Sequence, residues 1–165
     1  MKRIILLCAT AMTLFFAASW ASPKPNIHNN FSGTWQMDAN RSESAHFGQP
    51  FVPVIFVIRQ TPTQVRIETR RDGQSETLIY NMDGSASEQA AQANGPVSWS
   101  ARWDGDKLVT ETTRNINGSA VIITESRSLD GKGKEMIVYR TLAVQHGYES
   151  GKTSSTAKDV FIKAL

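Results

Sequence analysis

From Phe31 onward the chain alternates apolar and polar residues in short runs, each closed by a turn signal. Val65, Ile67 and Thr69 fall on one face, while Arg66, Glu68 and Arg70 fall on the other. Val97, Trp99, Ala101 and Trp103 oppose Ser98, Ser100 and Arg102 in the same way. A period of two is the mark of a half-buried strand. The pattern predicts nine strands, over 31–37, 52–60, 65–71, 76–82, 97–103, 107–114, 119–129, 135–145 and 157–164. Asp72-Gly73, Asp83-Gly84, Asp104-Gly105, Asn117-Gly118 and Asp130-Gly131 separate them. Such pairs tolerate the positive φ that tight hairpins need, so each strand is expected to pair with its neighbour. Loops are expected over Asp38–Gln49, Ser85–Gly95 and His146–Thr156, and no segment shows a helical period. The prediction is an all-β, up-and-down antiparallel meander of about 8–10 strands that closes into a barrel, because closure removes exposed edges. The polar rows would face outward, which excludes a lipid-facing barrel.

Ahead of this body, Lys2 and Arg3 precede an apolar run, Ile4 to Ala18, broken by Thr10 and Thr13. Ser19-Trp20-Ala21 then supplies small residues at the two positions a signal peptidase reads. This layout predicts a cleavable secretory signal peptide over residues 1–21, cut after Ala21, and a periplasmic or secreted protein. The run falls short of the roughly 20 residues a spanning helix requires, so no transmembrane span is expected after cleavage. Residues 22–30, with Pro23 and Pro25, read as a flexible linker. Residues 31–165 read as one domain.

Removing the leader changes the charge. The whole chain carries 18 basic and 15 acidic residues, a net +3; without Lys2 and Arg3 it is nearly neutral. A neutral domain has no electrostatic footprint for nucleic acid. Cys8 is the only cysteine and lies in the leader, so the mature domain relies on its core without a disulfide.

The first strand opens Phe31-Ser32-Gly33-Thr34-Trp35, and Arg41-Ser42 and Trp103-Asp104-Gly105-Asp106-Lys107-Leu108-Val109 follow later. These motifs resemble lipocalins and fatty-acid-binding proteins, the calycin-type barrels, and a group of exported bacterial lipocalin-like proteins. The resemblance covers roughly residues 31–145. It implies a barrel in which Trp35 plugs the closed end and Gly33 admits a neighbouring chain. It also implies a late basic side chain packed over Trp35, for which Arg140 is the first candidate and Lys163 the second. The loop after the first strand is too short for the paired lid helices of the fatty-acid binders.

Phe56, Tyr80, Trp99, Trp103 and Tyr139 offer flat, amphipathic surfaces that line a ligand cavity or else fill the barrel. Arg114 shares a face with Leu108, Thr110 and Thr112, and Arg127 shares one with Val121, Ile123, Glu125 and Leu129. An inward arginine can hold the carboxylate of an acidic ligand; equally, it reaches water or pairs with Glu125 or Glu111. His28, His46 and His146 have no metal-ligand spacing. Gly151-Lys152-Thr153 lacks the earlier glycine of a phosphate loop, His146 standing in its place. No cofactor is implied, and no catalytic serine is framed by a nucleophile elbow.

The expectation is therefore a non-enzymatic exported protein that holds a small, partly hydrophobic or amphipathic molecule. An envelope protein-interaction module acting through its loops is the alternative. An isomerase or cyclase on the same barrel, working through a buried carboxylate or tyrosine, is the third reading.

Overall fold

The structure, a computed structural model, describes residues 28–46, 52–89, 97–146 and 152–164. The predicted leader and the linker as far as residue 27 lie outside the described residues. The alternating runs form β1 (Gly33–Met37), β2 (Ile55–Gln60), β3 (Gln64–Arg71), β4 (Gln74–Asn81) and β5 (Ser87–Gln89). They continue as β6 (Val97–Asp104), β7 (Lys107–Ile116), β8 (Ser119–Leu129), β9 (Glu135–His146) and β10 (Lys152–Lys163). The strands make one antiparallel sheet in the order β4-β3-β2-β1-β10-β9-β8-β7-β6-β5. Its two chain ends meet, with Trp35 of β1 opposite Lys163 of β10. The result is a nearly closed all-β barrel. Among the described residues no helix is long and apolar enough to cross a membrane.

Turn chemistry explains the tight corners. Asp72 and Gly73 have φ of 50° and 71°, and Asn117 and Gly118 have 51° and 79°. Two successive positive φ values give the turn whose twist matches that of the flanking strands.

Two sequence expectations need correction. Ser87–Gln89 form a short strand inside the predicted loop, with Ser87 opposite Trp99 of β6. Strand β10 starts at Lys152 rather than Ala157, because its Ser/Thr-rich first half pairs backbone to backbone with β9 and needs no apolar face. His28 stacks on Trp103 with centroids 4.2 Å apart, and its Nδ1 lies 3.3 Å from the carbonyl of Gly105.

Inward residues pack one end of the barrel solid. Phe31, Trp35, Phe56, Ile58, Val65, Leu108, Met136 and Phe161 are all buried there. The Trp35 indole N–H donates to the Phe31 carbonyl at 2.8 Å, so its polar edge is satisfied. Beyond Met37, β1 no longer covers the edge of β10. Two 3-10 turns, Ala39–Arg41 and Glu43–His46, take over. Asp38 N donates to the Val160 carbonyl, Val160 N donates to Ser42 Oγ, and Lys158 N donates to Glu43 Oε2. Side chains thus finish the pairing that a strand would have made.

The remaining seam lies between β4 and β6, which approach without a ladder. The Trp99 indole N–H donates to the Ile79 carbonyl at 2.7 Å, and Arg114 pairs with Glu76. These contacts bridge the seam from β6 and β7 to β4.

Candidate functional site

At the end of the barrel away from Trp35 lies a cavity of about 830 Å³. Its volume lies within the range of small-molecule sites, roughly 300–1,000 Å³. The β3–β4 hairpin contributes Asp72 and Gln74 to its rim. Phe56, Ile67, Leu78 and Tyr80 supply an apolar wall, because strand alternation sends them inward. Between wall and rim sits a chain of polar side chains.

Register builds that chain. Glu125 and Arg127 are two residues apart on β8 and so share its inner face. The hairpin to β9 sets Arg140 opposite Glu125, and β10 then sets Asp159 opposite Val138. Arg127 donates to Thr110 Oγ1 at 2.7 Å and pairs with Glu125. Arg140 donates to the other Glu125 oxygen through Nε at 2.8 Å and also lies 2.7 Å from it through Nη2. Its Nη1 is 3.7 Å from Asp159, whose carboxylate also accepts from the Ser44 amide at 3.0 Å and from the Ser44 hydroxyl. The network therefore runs from Thr110 through two arginines and two carboxylates to the turn at Ser44.

Charge states follow from this geometry. Burial pushes the Glu125 carboxyl up, but the Arg127 and Arg140 guanidiniums outweigh burial and hold its pKa below the ordinary value. Burial pulls Arg140 down, and Glu125 and Asp159 more than restore it, leaving it raised. Both groups are ionised at neutral pH. Burial pushes the Tyr80 phenol up, against hydrogen bonds with Thr112 and Thr110 and the positive charge of Arg127. Tyr80 is therefore a neutral hydroxyl, able to donate and accept. Arg127 Nε is buried with no partner, and the guanidinium carbon lies 5.2 Å from the ring centre of Phe56.

Of the residues proposed from sequence, the structure brings Phe56, Tyr80, Arg114 and Arg127 to the cavity. Trp99, Trp103 and Tyr139 are not among its lining residues. Trp99 bridges the seam. Trp103 sits at the closed end with His28, beside a smaller concavity that Gln60 and Pro62 also line. Tyr139 is 48% exposed, because its neighbours Val138 and Arg140 take the inner face and alternation turns Tyr139 outward. Arg140 does not lie over Trp35. Lys163 does, with Nζ 5.1 Å from the ring centre. Gly33 makes room for it: with φ at 146°, a Cβ there would lie 2.6 Å from Lys163 Cε.

Glu125, Asp159, Thr110 and Ser44 were not proposed as site residues. Hairpin arithmetic around Asp130-Gly131 could have placed Glu125 opposite Arg140. The alternation of Ala157, Asp159 and Phe161 could have turned Asp159 inward. Nothing in the chain order pointed to Ser44, which reaches Asp159 across 115 residues.

The fold is that of a lipocalin-like, calycin-type β-barrel. No family model matches the chain, and no curated protein matches it by sequence. Solved structures do match in shape. A secretary abundant heat soluble (SAHS) protein from Ramazzottius varieornatus aligns with a TM-score of 0.53 over 81% of this chain and 94% of its own. A REP1-NXSQ fatty acid transporter aligns at 0.54 over 81% and 96%. Apo lipid binding protein 8 of Caenorhabditis elegans aligns at 0.54 over 81% and 95%. Each is 11% identical to this chain, so the likeness is one of fold.

Proposed function

We propose that this chain is an exported, non-enzymatic binding protein that holds a small, partly hydrophobic molecule in the open end of its barrel. The cavity carries the reading: an apolar wall backed by hydrogen-bonding side chains suits a molecule with an apolar body and a polar end. Affinity would come from apolar area removed from water, at ~25 cal/mol per Å² before the costs of association. Two neighbours of the same fold, named as a fatty acid transporter and a lipid binding protein, support the class of ligand. The leader read at residues 1–21 supports export to the periplasm or the medium.

The test is titration with a fluorescent apolar probe whose emission rises on leaving water. The wild-type domain should saturate at one probe per chain. Ile123→Trp, which fills space at the cavity wall, should abolish that binding while circular dichroism stays unchanged. Equal binding by both proteins would place the probe on the surface and contradict the reading.

A further inference from the structure

We infer that the polar end of the molecule held in this barrel is uncharged: a hydroxyl, carbonyl or ester rather than a carboxylate. The inference rests on the carrier reading above and specifies its ligand. It follows from how the charges around the cavity pair with one another. In the interior, Arg127 and Arg140 face Glu125 and Asp159. At the rim, Arg114 pairs with Glu76, while Arg71 stands exposed to water without an ion pair among the described residues. Among the described residues each interior cation at the cavity thus has an anion to match it.

An acidic ligand would have to shed its water in a partly apolar cavity, a large cost unless a cation without a counter-charge receives it. Among the described residues no such cation stands ready inside the cavity; Arg71 lies at the exposed rim, where its charge is screened by water. Arg127 is engaged by Thr110 and Glu125, Arg140 by Glu125 and Asp159, and Arg114 by Glu76. An entering carboxylate would also meet Glu125 as a like charge. A neutral head loses only hydrogen bonds to water. The hydroxyls of Tyr80 and Thr112 line the cavity and can remake them, and Arg127 Nε remains a donor without an acceptor. An arginine turned into a barrel is thus, by itself, no sign of an acidic ligand here, because its charge is already spoken for.

The experiment is displacement of the fluorescent probe by dodecan-1-ol and by dodecanoate at neutral pH, with three proteins. The wild type should bind the alcohol at least about tenfold more tightly than the acid. Glu125→Gln removes one interior anion and should move the acid-to-alcohol ratio toward the acid by about tenfold. Glu76→Gln frees Arg114 at the half-exposed rim and should move it by about threefold, in a variant whose core is untouched. A wild type that prefers the acid overturns the inference. So does a ratio unmoved in Glu76→Gln and in folded Glu125→Gln. If neither compound displaces the probe from folded wild type, the carrier reading falls, and this inference with it.

Discussion

Asp159 accepts the backbone amide of Ser44 at 3.0 Å and the Ser44 hydroxyl as well, although the two residues lie 115 positions apart. This contact ties the segment after β1 to β10, beside Arg140, which lines the cavity. Asp159 is fully buried and sits beside Arg140. Asp159→Asn removes the charge and leaves Arg140 less compensated, so it should cost about 3 kcal/mol or more. Ser44→Ala keeps the charge and loses one donor, costing about 1–2 kcal/mol. Urea denaturation measures both, and hydrogen exchange over residues 39–44 should rise in each variant.

Lys163 over Trp35 makes the closed end sensitive to two small changes. Gly33→Ala places a Cβ against Lys163 at a φ that side chains rarely adopt, and should destabilise by about 1–3 kcal/mol. Lys163→Met keeps most of the stem and loses the cation, costing about 0.5–2 kcal/mol. Thermal unfolding of the two variants checks the order of effects. Neither should change ligand binding, because the cavity lies at the other end.

The interior carboxylate predicts a pH dependence of stability. Glu125 has a folded pKa held below its ordinary value. Its stabilising effect is complete above the unfolded value of about 4.3 and is lost as pH falls through the folded one. Stability should therefore hold from neutrality to about pH 5 and drop below about pH 4. The surface carboxyls of Asp38, Glu68, Asp83 and Asp130 are lowered too and add to the fall in every variant. The difference in urea midpoint between wild type and Glu125→Gln isolates the interior group. It should shrink as the pH drops; a constant difference contradicts this account of Glu125.

Export has its own readout. The mature protein, recovered from outside the cytoplasm of its host, should begin at Ser22 by N-terminal sequencing. A protein that keeps Lys2 and Arg3 contradicts the leader reading.

The barrel was legible because period-two alternation and the Asp-Gly and Asn-Gly turns report backbone geometry directly. Strand β5 and the first half of β10 were not, since hydrogen-bonded pairing there carries no apolar face. Strand alternation turns Phe56, Tyr80 and Arg127 toward the cavity. It could not tell which basic residue reaches Trp35, because that depends on β10 lying beside β1, a contact between the two ends of the meander. Tyr139 stands outside the cavity lining for a related reason: an aromatic in a strand lines the interior only when its neighbours face outward.

The most direct measurement of the central claim is native mass spectrometry of the protein purified from its own host. A population heavier than the chain by one small molecule is expected, with that mass lost on Ile123→Trp. A bare chain that also takes up no added amphiphile would contradict it.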